Sequence, residues 1–229
     1  MPRARHPIFV GSTGFAADYR GALFHEGEGA LIVADLHLEK GSSFAARRSL
    51  LPPYDTAATL ARLERLIAVY APRLVVALGD SFHDGAAGER IAAEDTAAIA
   101  RLQKGRGWVW IAGNHDPDPP QGLGGEAMDE MRLAGVILRH APRALETEGE
   151  LSGHLHPAAR VSSASGTVRR RCFAANGQRC ILPAFGAYTG GLNLRDPAFA
   201  PFFEASGFTA HVLGRDRLYA VPQRRCWPD

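Results

Sequence analysis

WVWIAGNHD, residues Trp108 to Asp116, is an apolar run that stops abruptly at an amide, an imidazole and a carboxylate. Short runs of β-branched and aromatic residues bounded by turn formers read as buried strands. The same pattern recurs along the chain. ALIVA (Ala30 to Ala34) is followed by Asp35 and His37, LVVAL (Leu74 to Leu78) by Asp80, His83 and Asp84, and VILR (Val136 to Arg139) by His140. The turn at Glu150-Leu151 leads into SGHLH, which carries His154 and His156.

Every polar cluster thus sits at the carboxyl end of an expected strand, the edge of an α/β sheet where loops from neighbouring strands converge on ligands. Taken singly, an Asp after a strand is more often a turn former or helix cap, and a lone His is more often packed or on the surface. Five such clusters in order are not accounted for in that way.

Between the first two strands, Leu60, Leu63, Leu66, Ile67 and Tyr70 follow helical spacing, which predicts a helix over Thr56 to Tyr70 with Asp55 as its N-cap. Ile91 to Leu102 reads as a second helix and Gly125 to Leu133 as a third. From about residue 150 the chain reads as a β-meander with hairpins at Ser165-Gly166 and Asn176-Gly177. A two-residue turn at Asn176-Gly177 pairs Ala175 with Gln178 and Phe173 with Cys180. Cys172 then lies on the opposite face from Cys180, which disfavours a disulfide between them. No repeat and no Ser/Gly/Pro-rich linker appears, so a single domain over 1–229 is expected.

The 229 residues are 46% apolar and 22% charged, ordinary for a globular chain with a sizeable core. A formal charge of +2 and a pI near 8.6 permit a nucleic-acid partner without indicating one. The start, MPRARHPIFVGSTG, lacks the apolar run of a signal segment, and nothing later approaches a membrane span, so a soluble cytoplasmic protein is expected. Cys172, Cys180 and Cys226 are odd in number and lack C-x-x-C spacing, which argues against a disulfide framework or a zinc ribbon.

The inventory suits two divalent cations. Asp35, His37, Asp80 and His156 would supply one, and Asp80, Asn114, His140 and His154 the other. A carboxylate has two oxygens and can be shared, whereas an imidazole cannot. Only two carboxylates face two dications, so such a site stays positive and favours a phosphate ester. Imidazole, carboxylate and amide together suit Mn, Fe or Zn better than Mg or Ca, and Mn2+ is the expected metal.

D-x-H, G-D, G-N-H-D, a single His and G-H-x-H, in that order from Asp35 to His156, resemble the calcineurin-like metallophosphoesterases. The resemblance implies an α/β (α+β) fold of the αββα sandwich type, two mixed β-sheets flanked by helices, with a dinuclear site at the strand ends. It makes Asp35, His37, Asp80, Asn114, His140, His154 and His156 the metal ligands. The i, i+2 spacing of His154 and His156 on a strand would put both rings on one side, but the resemblance implies one on each metal, with Gly153 letting the backbone turn between them. His115 would contact the phosphate and protonate the leaving oxygen as metal-activated water attacks phosphorus in line. DLHLEKGSSFA, SGHLHPAAR and ILPAFGAYTGG further resemble the bacterial ligase-associated DNA damage response endonucleases of the PdeM type, the Icc-like phosphoesterases. That narrower resemblance implies DNA as substrate and DNA ligase, helicase or exonuclease repair enzymes as partners. A small-molecule phosphodiesterase or phosphatase, for cyclic nucleotides or nucleotide conjugates, is the alternative. A non-catalytic scaffold is disfavoured because every ligand and His115 are present.

One position departs from the common family pattern. Three residues past Asp80, where many relatives carry the acidic residue that orients the histidine, stands His83, with Asp84 beside it; Asp84 or Asp116 would then take over that role. Lys40 is a candidate phosphate contact, whereas Ser42, Ser43, Arg47 and Arg48 read as solvated surface. Arg169, Arg170 and Arg171 on one strand cannot present three charges to one face, and read as a solvated hairpin rather than a nucleic-acid strip. Trp108 and Trp110 share a face and read as core. The Tyr188 to Gly191 loop reads equally as a phosphate approach or a plain turn. His6, His25 and His211 read as structural or surface residues, and Pro52-Pro53 and Pro117 to Pro120 as rigid loop.

Overall fold

The computed structural model describes residues 6–49, 51–118, 122–144, 148–164, 166–203 and 206–229. Seven strands form the first sheet in chain order: β1 (His6–Val10), β2 (Thr13–Asp18), β3 (Ala22–His25), β4 (Ala30–Val33), β5 (Leu74–Leu78), β6 (Gly107–Ile111) and β7 (Glu126–Met128). The first four are antiparallel and β4 to β7 are parallel. The second sheet holds β8 (Glu130–Leu133), β9 (Val136–Arg139), β10 (Glu150–Ser152), β11 (Pro157–Ser163), β12 (Gly166–Ala175), β13 (Arg179–Ile181), β14 (Leu192–Asn193), β15 (Thr209–Leu213) and β16 (Leu218–Pro222). Its order is β14-β11-β12-β13-β10-β9-β8, with β15 and β16 added on β12. The helices are α1 (Lys40–Ala46), α2 (Asp55–Tyr70), α3 (Ala87–Arg90), α4 (Ala93–Gln103) and α5 (Ala200–Phe203).

The central strands are apolar at nearly every position because both of their faces are covered. Ile32, Val76 and Val109 point into a core shared with Leu138, Leu151 and Phe173 of the second sheet. Leu31, Val33, Val75, Trp108 and Trp110 point the other way, against Leu60, Leu63 and Leu66 of α2 and Ile99 and Leu102 of α4. A third cluster packs Phe199 and Phe203 onto the outer face of the second sheet, over Cys172, Ile181 and Ala210. The layers are therefore helix, sheet, sheet, helix: two mixed sheets flanked by helices, as expected.

Four local expectations fail. The helix expected over Gly125 to Leu133 is two strands, β7 and β8. Met131 and Leu133 turn toward the inter-sheet core while Glu130 and Arg132 stay out, a period of two that a short window does not separate from helical spacing. Asp55 does not cap α2; it is the first helical residue, and its carboxylate accepts instead from the Gly41 amide at 3.1 Å. The Asn176-Gly177 hairpin is wider than two residues, since Ala175 pairs with Cys180 and Ala174 with Ile181. The Asn176 side chain accepts from the amides of Gln178 and Arg179 and so lengthens the turn. The meander holds only for β11-β12 and β15-β16, because β10 runs parallel to both β9 and β13. Of the other hairpin, β11 and β12 pair from Ala158↔Arg171 to Ser163↔Gly166, while Ser165 lies outside the described residues. Pro119 and Pro120 of the proline segment also lie outside them.

Candidate metal centre

The parallel strands β4, β5 and β6 end side by side, and so do β9 and β10 of the second sheet, so the five polar clusters face one another across the sheet ends. The backbone there is unusual. Of the nine described non-glycine residues with positive φ, five are Asp35 (53°), His37 (43°), Asp80 (44°), His154 (67°) and His156 (47°). Such conformations cost about 1–3 kcal/mol each and persist where surrounding structure over-determines them. The turn that separates the two rings of SGHLH is thus made by His154 and His156 themselves. Gly153 serves another purpose: a Cβ there would lie 2.5 Å from Asp35 Oδ2, so its bareness admits the buried carboxylate. Gly79 likewise clears room for the His140 ring, 2.5 Å from where its Cβ would stand.

Two groups of donors converge. In the first, His37 Nε2 lies 3.2 Å from His156 Nε2, and His156 Nε2 lies 3.4 Å from Asp35 Oδ1. In the second, His140 Nε2 lies 3.1 Å from His154 Nδ1, 2.9 Å from Asn114 Oδ1 and 3.4 Å from Asp80 Oδ1. The other Asp80 oxygen, Oδ2, faces the first group at 3.9 Å from His37 Nε2. Ligand atoms about 2.1 Å from one cation, at tetrahedral or octahedral angles, are themselves about 3.0–3.4 Å apart. The contacts among His37, His156 and Asp35 and those around His140 Nε2, at 2.9–3.4 Å, match that spacing closely, with Asp80 Oδ2 standing farther off at 3.9 Å from His37 Nε2.

The hydrogen bonding makes the stronger test of fit. His140 Nδ1 donates to the Leu78 carbonyl at 3.0 Å, so a neutral ring turns an Nε2 lone pair onto the oxygens of Asn114 and Asp80. Acceptors meeting acceptors need a proton or a cation between them. Burial disfavours a charge on His140, but the Asp80 and Asp35 carboxylates hold its pKa above the ordinary imidazole value. His37 behaves oppositely. Burial, then the neighbouring His156, lower it to about 3, against the pull of Asp80. Its Nδ1 is buried without a partner and its Nε2 meets only another imidazole nitrogen and a carboxylate, the state in which a neutral ring is free to ligate. Asp80 is drawn down to about 2: burial opposes its charge, and the His140 ring and the His115 amide overcome that.

His115 lies beside Asp80. Its backbone amide donates to Asp80 Oδ1 at 2.9 Å, and its Nε2 lies 3.9 Å from Asp80 Oδ2. Its Nδ1 donates to the backbone carbonyl of His83 at 2.9 Å, while the two rings stack with centroids 5.5 Å apart. The substitutes expected for the absent acidic residue are engaged elsewhere. Asp84 pairs with Arg90 at 2.7 Å, and Asp116 is buried under the Phe82 amide at 2.9 Å. A main-chain carbonyl orients His115, a contact for which residue identity carries no signal. Lys40 opens α1, with its Nζ 5.9 Å from the Phe44 ring centroid. Arg171, read as solvated, is half-buried and bonded to three loop carbonyls; Arg169 bonds the Gly191 carbonyl, and Arg170 faces away. His6 and His211 bond each other at 2.7 Å, and His25 Nδ1 accepts from the Glu28 amide.

The model of the calcineurin-like phosphoesterase family matches residues 30–178, and the chain belongs to that family. It is a metal-dependent phosphoesterase. Among solved structures, the chain is similar to the Pseudomonas putida nuclease MPE, with 31% identity and a TM-score of 0.73, over 94% of this chain and 100% of that one. It is also similar to Yfce, a phosphoesterase from E. coli, with 15% identity and a TM-score of 0.42, over 85% of this chain and 98% of that one. No curated protein matches the chain. No helix among the described residues is long and apolar enough to cross a membrane.

Proposed function

We propose that the chain is a nuclease that hydrolyses phosphodiester bonds of DNA at a dinuclear centre. Asp35, His37, Asp80 and His156 hold one cation, and Asp80, Asn114, His140 and His154 the other, with Mn2+ as the metal. The observation that carries this reading is Asp80, whose two oxygens face different donor groups. Two bound cations supply charge for the phosphoryl oxygens and a water of lowered pKa. The chain supplies the rest. Asp80 fixes the spacing of the two groups. His115, held through its Nδ1–H, acts as general acid in the doubly protonated form, giving the Nε2 proton to the departing oxygen and keeping the Nδ1 proton on the His83 carbonyl. Asn114 contacts the phosphate that is cut, and Lys40 a phosphate of the bound substrate strand. The likeness to the P. putida nuclease supports DNA over small diesters. A cytoplasmic role in DNA repair, with ligase, helicase or exonuclease partners, completes the reading.

Turnover of bis-aryl and mono-aryl phosphates by the Mn-loaded protein, and of single-stranded, nicked and duplex DNA, with His115→Ala as control, tests it. Diester preference together with DNA cleavage is expected. Diester turnover without DNA cleavage would move the substrate to a cyclic nucleotide or nucleotide conjugate, and turnover of none would overturn the reading.

A further inference from the structure

Beside the donor groups, Lys40, Arg62 and Arg171, none with a carboxylate in ion-pair contact among the described residues, lie on segments that bond one another: the Ala187 amide donates to Thr59 of α2 at 3.0 Å and the Gly41 amide of α1 to Asp55 of α2 at 3.1 Å. Arg171 on β12 donates to the carbonyls of Ala184 and Gly186 at 2.9 Å and of Thr189 at 2.6 Å, so it fixes the loop after β13. From the other side of that loop, α2 presents Arg62, its guanidinium carbon 4.0 Å from the Phe185 ring centroid. Nε and Nη2 of Arg62 are enclosed with no acceptor. Burial, then the charge of Arg171, lower Arg62 to about 10. Lys40 is lowered too, by burial, against the pull of Asp55 and with the push of Arg171.

Stacking on Phe185 explains where Arg62 lies but leaves its charge unbalanced, and a half-buried guanidinium with unmet donors is costly. An anion between the three side chains removes that cost. Direction follows from Phe44: the Lys40 Nζ lies 5.9 Å from its ring centroid, and that ring lies 5.8 Å from the His83 ring, which in turn stacks on His115. The cations therefore extend from the leaving-group side of the centre. Tyr54 lies next to Asp55, whose carboxylate holds the Gly41 amide of α1, and is 68% exposed. A cationic track with an open aromatic is the composition that single strands bind.

We propose that Lys40, Arg62 and Arg171 seat a non-scissile phosphate of a nucleic-acid strand, on the leaving-group side of the bond that is cut. This rests on the phosphodiesterase reading above, so binding and turnover are measured separately. Anisotropy of a labelled dT12 strand in EDTA reads binding alone. Arg62→Gln and Lys40→Gln are each expected to weaken it at least fivefold, and the double variant to lower the slope of log K against log salt by about 0.7. With metal, their loss on dT12 should exceed their loss on bis-p-nitrophenyl phosphate by at least fivefold. Arg101→Gln, on the exposed face of α4, should change neither. Unchanged dT12 binding in Lys40→Gln and Arg62→Gln, or equal losses on the two substrates, would overturn the seat. Wild-type protein that turns over the aryl diester but does not bind dT12 would overturn the seat and leave the phosphoesterase reading standing. Protein that binds dT12 through these residues but hydrolyses no diester would overturn the reading of turnover instead.

Discussion

The Nδ1 of His115 lies 2.9 Å from the carbonyl oxygen of His83, so the main chain, not a side chain, fixes the ring that faces Asp80. His83→Ala keeps that carbonyl and should retain turnover within about threefold, whereas His115→Ala should lose about 10²–10⁴-fold with metal content unchanged. Steady-state kinetics on an aryl diester, with metal measured by mass spectrometry, checks both. A His83→Ala loss as deep as that of His115→Ala would show that the His83 ring does the orienting.

Gly153→Ala should empty the first donor group. The added Cβ would stand 2.5 Å from Asp35 Oδ2 and 2.9 Å from Ala34 Cβ, so Asp35 must leave its position. The expected result is loss of at least one metal per chain. Gly85→Ala, with open space around its Cβ, should bind metal as the wild type does.

Glu150, fully buried, holds Arg139 at 3.1 Å and Arg179 at 3.3 Å and accepts from the Arg143 amide, tying β9, β10 and β13 together beside His140. Glu150→Gln removes the counter-charge of buried Arg179 and leaves Arg139 relying on Glu130 at 3.1 Å, and should destabilise by about 3 kcal/mol. Urea unfolding measures it, and a change below about 1 kcal/mol would contradict that role.

Asp116 gives a pH signature in metal-free protein. Burial drives its carboxyl up to about 7, opposed by the Phe82 amide and reinforced by Asp80. A native pKa above the unfolded value of about 3.9 means that the native state binds the proton more tightly. This contribution is therefore full below about pH 4 and is lost as pH rises to about 7. Relative to Asp116→Asn, wild-type stability in EDTA should fall across that window, by at most about 1.4 kcal/mol per pH unit. A constant difference across it would show that Asp116 stays charged.

Much of this was legible in the sequence because strand ends place side chains by rule. An apolar run ending in Asp, His or Asn puts that residue at the sheet edge, and four such runs together with the turn before SGHLH predict one locus. The division of His154 and His156 between two groups followed from family resemblance, since their i, i+2 spacing alone put both rings on one side. Their own left-handed backbone, not Gly153, separates them, and no composition rule announces positive φ at histidine. Met131 and Leu133 fit a helix or a strand equally well, so β7 and β8 were decided by the sheet edge available to them. Arg62 and Arg171 were invisible as a pair, being far apart along the chain and joined only through the loop at Phe185.

Anomalous diffraction from Mn-soaked crystals tests the central claim most directly. Two peaks about 3.5–4 Å apart are expected, one among Asp35, His37 and His156 and the other among Asn114, His140 and His154, with Asp80 between them. A single peak, or two peaks without Asp80 in contact with both, would contradict the account.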